Sequence, residues 1–168
     1  NLYTVQLIDA QGCTQSLGPI LLQEPPQIHW TQVNTTSIAC YGDTKGILDA
    51  SNTGGSGSFT YNLQPIAGTQ TANGHFTGLP AGTYTLTATD AIGCSASTQT
   101  TITQNAKLHL SRLDKLMPTC YGEKNGSLFA VADGGVNPYQ YSLSGGPLSN
   151  SGLFTALTSG SYLLHVVD

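Results

Sequence analysis

The 168-residue chain is sparsely charged: 8% of its residues are Asp, Glu, Lys or Arg, and the formal net charge is -4. That excludes the basic stripe of a nucleic-acid binder, and the supply of Thr, Val, Ile, Leu and Tyr excludes a disordered, charge-rich linker. With 20 Gly, 8 Pro and 1 Met, turn formers are plentiful and helix formers scarce, and no apolar run approaches the roughly 18 residues of a membrane-spanning helix.

In chain order, Asn1 opens inside a strand pattern in which Tyr3, Val5 and Leu7 alternate, and Asp9, Gly12 and Cys13 mark the turn that follows. Residues 28–33 read as a first strand and 46–51 as a second. Phe59, Tyr61 and Leu63 alternate on one face of a third. Residues 75–79 form a short strand that runs into the turn Leu79-Pro80-Ala81-Gly82, built from a proline and a glycine. Tyr84, Leu86 and Ala88 then point one way along the next strand while Thr83, Thr85, Thr87 and Thr89 point the other, a dry face and a wet one. Asp90-Ala91-Ile92-Gly93 is a hairpin turn, in which Asp bonds the backbone and Gly takes a positive φ. Residues 95–103 close the unit. Turns every 8 to 12 residues suit an immunoglobulin-like sandwich, with six or seven strands in each unit.

The unit recurs. Cys40-Tyr41-Gly42-Asp43 returns as Cys120-Tyr121-Gly122-Glu123, Gly54-Gly55 as Gly134-Gly135, and Phe59-Thr60-Tyr61 as Tyr139-Gln140-Tyr141. Gly82-Thr83-Tyr84 returns as Gly160-Ser161-Tyr162 and Asp90 as Asp168. At the other end Tyr3, Val5, Leu7, Asp9, Gly12 and Cys13 match Tyr84, Leu86, Ala88, Asp90, Gly93 and Cys94. The expected organisation is all-β, as tandem immunoglobulin-like sandwiches. Residues 1–24 are the C-terminal strands of a preceding repeat, 25–104 a complete repeat, and 105–168 a following repeat lacking its last strand. The chain is expected to continue at both ends.

The series C-x-G-x-x-x-G, G-G, aromatic-x-aromatic, L-x-x-G-x-Y and D-x-x-G-C resembles the SprB repeat of very large surface adhesins of gliding bacteria. It is carried by Cys40, Gly42, Gly46, Gly54, Gly55, Phe59, Tyr61, Leu79, Gly82, Tyr84, Asp90, Gly93 and Cys94. Gly57-Ser58 departs from the Pro-Tyr that Pro138-Tyr139 keeps. The resemblance implies a filament at the cell surface, exported by the type IX route, with roles in gliding motility and surface attachment.

The chemistry-bearing residues are few. Each repeat owns a Cys before its second strand and one after the D-x-x-G turn, so Cys40 and Cys94 are the expected structural disulfide in an oxidising compartment. A pairing of Cys13 with Cys40 and Cys94 with Cys120 stays open, because the choice turns on how many strands lie between the third strand and the Tyr84 strand. No C-x-x-C or Cys/His cluster suggests zinc. His29, His75, His109 and His165 are scattered, and no nucleophile, base or paired-carboxylate motif appears, so no catalytic residue is assigned. No cofactor is expected. The repeated turn aspartates Asp9, Asp90 and Asp168 read as turn caps, with calcium the rival reading, for which Asp43 and Glu123 after the recurrent Tyr-Gly are further carboxylates. Trp30, Tyr41 and Tyr121 are the candidates for glycan contact, and Trp30 matches Leu110, which points to a packed apolar position. The sequons at Asn34 and Asn125 read as accidental in a bacterial product.

The sequence therefore reads as a non-enzymatic stalk or adhesive segment of a secreted surface adhesin. Its partners are neighbouring repeats and surface polysaccharide, with no nucleic acid and no membrane span. The alternative is an accessory carbohydrate-binding module of a secreted carbohydrate-active enzyme.

Overall fold

The computed structural model describes residues 1–168, which form antiparallel sheets joined by turns and contain no helix. Strands β1 (Leu2–Ile8) and β2 (Thr14–Leu21) make a hairpin of their own. Seven strands follow: β3 (His29–Thr36), β4 (Gly46–Thr53), β5 (Thr60–Gln64), β6 (Thr69–Ala72), β7 (His75–Leu79), β8 (Gly82–Thr89) and β9 (Ser95–Ile102). The last stretch holds β10 (His109–Leu116), β11 (Gly126–Asp133), β12 (Gln140–Leu143), β13 (Leu153–Leu157) and β14 (Leu164–Val167). No sheet mixes strands from these three stretches.

The seven-stranded unit sorts into the sheets β3-β4-β7-β6 and β5-β8-β9. Numbered along the chain, that is the A-B-E-D and C-F-G arrangement of a constant-type immunoglobulin domain. Alternation dictates the core. Tyr84, Leu86 and Ala88 on β8 are all but fully buried, and Tyr84 and Leu86 share one cluster with Leu48, Phe76 and Leu79 of the other sheet that also takes Ile38, Leu63 and Ile102. Gly46 is a close-packing point: a Cβ there would lie 2.6 Å from Leu79 O and 2.9 Å from the Ile102 Cγ2. The Tyr84 hydroxyl donates to Pro80 O at 2.8 Å, the tyrosine corner of this fold. Tyr162 repeats it with Thr158 O at 3.0 Å.

The third stretch builds the same architecture with fewer strands, β10-β11-β13 over β12-β14, around a smaller core of Ala130, Ala132 and Tyr141. Where Ile102 presses on Gly46, the third unit has a cleft of about 320 Å³ beside Gly126, Leu128, Leu157 and Tyr162. The β1–β2 hairpin carries the same alternation with nothing packed on it, and Tyr3, Val5 and Leu7 are 48%, 55% and 72% exposed.

The expected Cys40–Cys94 disulfide is not formed, and all four cysteines are free and exposed. The cause is topological. Ile38 bridges Gln104, the Asn105 side chain donates to Ala39 O at 2.7 Å, and Gly42 N donates to Gln104 Oε1 at 2.9 Å. Cys40 is thereby held at the exit of β9, whereas Cys94 stands at its entrance. The 8 residues of β9 lie between those ends, a separation of more than about 25 Å. The rival pairing fails for the same reason. Cys13 sits in the turn at the end of the β1–β2 hairpin remote from Leu22 and the second unit, while Cys40 is at that unit's far end.

Candidate functional surface at the repeat junctions

The D-x-x-G-C turn is the most heavily bonded loop of the repeat. Asp90, only 5% exposed, accepts Ile92 N at 3.1 Å and Cys94 N at 2.8 Å on Oδ1, and Ser56 N at 2.9 Å on Oδ2. One carboxylate thus caps its own hairpin and ties it to the Gly54–Gly57 loop, reinforced by Ala91 N donating to Ser56 O at 3.1 Å. Gly93 takes φ 93° as the turn requires. Asp9 makes the same local bonds, with Cys13 N at 2.8 Å and Gln11 N at 2.9 Å. The bond from Cys13 N is the largest influence holding the Asp9 carboxyl below the ordinary range. Asp168 makes the bond to the neighbouring loop, accepting Val136 N at 2.9 Å. The turn aspartates Asp9, Asp90 and Asp168 are engaged by backbone N–H groups, Asp43 pairs with Lys45 at 2.8 Å, and nowhere do three His, Cys, Asp or Glu side chains gather.

The aromatic candidates separate. Trp30 is half-buried against the main core, its ring 6.1 Å from that of Tyr61, so it is a packing residue and not a presented face. Its indole N–H is buried without an acceptor. Tyr61, whose hydroxyl donates to Asn52 Oδ1, is held in the same cluster, and burial pushes its phenol up. Tyr41 and Tyr121 ride on the equivalent C-Y-G turns, closed by Asp43 N to Cys40 O and Glu123 N to Cys120 O. Their exposures differ, 56% against 106%. The third repeat explains the difference, since Ala106, Lys107, Leu108 and Asp168 line a cleft with Tyr41 and Cys40.

The histidines stay apart. His75 pairs with Asp49 across β7 and β4, and His109 contacts Lys107 O at 3.1 Å. No nucleophile is brought to a base. Sequence reasoning missed the two junction clefts altogether: Glu24, Pro25, Pro26, Gln27 and Ile28 with Cys94 at one end, and the Tyr41 cleft at the other. Their signal was present in the recurrence of the linker next to the recurrence of the cysteines.

No curated protein matches the chain. No solved structure matches it either. The family model of the SprB repeat matches at residues 32–68 and again at 118–148. Both matches begin before the C-Y-G turn and run through the glycine pair and the aromatic strand. Two successive segments of the chain are thus similar to the SprB repeat.

Proposed function

We propose that this chain is a structural and adhesive segment of a large secreted adhesin on the cell surface, serving surface attachment and gliding motility. The observation that carries the reading is the junction. The linker ahead of each repeat is lodged between one repeat's D-x-x-G-C turn or C-Y-G turn and the strand it feeds, so successive sandwiches can be spaced without a free, flexible hinge. A chain built this way holds a distal region away from the cell, or offers many weak contacts whose avidity accumulates. Low charge suits a long surface rod, and the partners are neighbouring repeats and surface polysaccharide. Catalysis has no place in it.

The test is binding as a function of valency. Beads carrying many copies of the 168-residue chain are compared with the free chain on a panel of surface polysaccharides. The expected result is retention of the beads with single-chain affinity no tighter than about millimolar. Micromolar binding by one free chain, abolished by Tyr41→Ala, would replace the stalk reading with that of a carbohydrate-binding module.

A further inference from the structure

The two cysteines of a repeat point along the chain in opposite directions. Cys40 lines one small cleft with Tyr41, Ala106, Lys107, Leu108 and Asp168. Cys94, at the other end of the same sandwich, lines a cleft with Pro26, Gln27 and Ile28. Ala106, Lys107 and Leu108 immediately precede β10 at His109, just as Pro26, Gln27 and Ile28 precede β3 at His29. The two kinds of cysteine therefore approach the same connecting segment from the two repeats that it joins.

A second observation places them together. The D-x-x-G-C turn holds its Asp against its Cys: Asp90 N donates to Cys94 O at 2.9 Å, and Cys94 N returns to the Asp90 carboxylate at 2.8 Å. Asp9 and Cys13 do the same at 3.0 and 2.8 Å. Asp168 is the third repeat's copy of that aspartate, with its carboxylate seated on Val136 N as Asp90 is seated on Ser56 N. It also lines the cleft of Cys40. By analogy with Asp90 and Cys94, a cysteine completing that turn would lie directly opposite Asp168, at roughly the 5.5 Å between Cα atoms of paired residues, and so at the Cys40 cleft.

We propose that Cys40 is a forward cross-linking thiol, which forms a disulfide with the D-x-x-G-C cysteine of the repeat that follows it. By the same rule Cys94 pairs backward with the C-Y-G cysteine of the repeat before. The staple runs across each junction, and no repeat is closed on itself. The rule pairs none of Cys13, Cys40, Cys94 and Cys120 with one another, in keeping with their all being free. The oxidant is a low-molecular-weight disulfide such as oxidised glutathione. One protein thiolate attacks it and releases a glutathione thiol, then the second protein thiolate displaces the other, so two protein thiols are oxidised as one glutathione disulfide is reduced to two thiols. The inference stands on the repeat register and the junction geometry, and is independent of what the stalk binds.

The test uses the full chain prolonged beyond Asp168 by a copy of residues 91–105, oxidised with glutathione disulfide under native conditions and mapped by peptide mass. The expected product links Cys40 to the added cysteine with loss of two hydrogens, and Cys13, Cys94 and Cys120 remain open to alkylation. Cys40→Ser should leave the added cysteine free. A Cys40 that stays alkylatable, or that links to Cys94 or Cys120, overturns the proposal. Should the added stretch fail to fold on, the unextended chain is treated with a peptide of residues 91–105 activated at its cysteine as a mixed disulfide with thiopyridine. Capture at Cys40 should then be at least about tenfold faster than at Cys13 or Cys120, through the raised local concentration. Equal rates at the three overturn the proposal as well.

Discussion

Tyr84 shows how much a single residue of the motif carries. Its ring is 2% exposed at the centre of the second repeat, and its hydroxyl closes the corner on Pro80 O. Tyr84→Phe should lower the stability measured by urea unfolding by about 1 kcal/mol, the worth of one hydrogen bond, and Tyr84→Ala by about 3–5 kcal/mol. The phenol also sets an alkaline limit. Burial pushes Tyr84 and Tyr61 above their ordinary pKa of 10.0. The unfolded chain releases these protons at lower pH than the folded one. Stability should therefore be unaffected by them below about pH 10 and fall as pH rises through the folded values. A urea midpoint that does not move on going alkaline would contradict this. Asp90 is the other keystone, and Asp90→Ala strands the N–H groups of Ile92, Cys94 and Ser56. We expect a loss of about 2–3 kcal/mol, together with faster amide exchange at those three positions.

Among the elements, the strand that sequence reasoning passed over is β6. Its burial pattern is exposed throughout, so the alternation that betrays β8 is missing from it. The two residues after it were legible: Asn73-Gly74 joins β6 to β7 as a two-residue hairpin, with Ala72 opposite His75 and Gly74 at φ 73°, the commonest signature of such a turn. Gly74 also lies against β4, its carbonyl accepting Ala50 N at 2.8 Å, and a Cβ there would collide with Ala50 O. Gly74→Ala should cost about 2–4 kcal/mol, from the left-handed backbone and the displaced strand together, and thermal unfolding reads it directly. The bounds of β7 and β9, by contrast, were readable to within a residue, because Gly74 and Pro80 frame β7 and the Asp90–Gly93 turn sets the start of β9, whose burial alternates.

For the whole molecule, residues 25–104 should fold alone into the seven-stranded sandwich, since its core cluster draws on no residue outside that range. A cooperative unfolding transition and a strand-type circular dichroism spectrum check this, and retention of Asn105, whose side chain bonds Ala39 O, should raise the midpoint. The same comparison shows what identical patterns become in different company. Tyr84, Leu86 and Ala88 are 2%, 0% and 0% exposed, whereas Tyr3, Val5 and Leu7 are about half exposed or more, because only β8 has a second sheet to bury against and a two-stranded hairpin has no core of its own.

By itself the sequence determined the class of fold, the repeat and its register, the inward face of β8 and the capping role of the turn aspartates. These are local properties, written in period-two alternation and turn chemistry. Only the tertiary structure decided where the cysteines stand. Their placement depends on the parity of the strands between β5 and β8, and the exposed, unpatterned β6 makes that number two. An even count sends Cys40 and Cys94 to opposite ends of the sandwich, and it is long-range sheet pairing that sets the count.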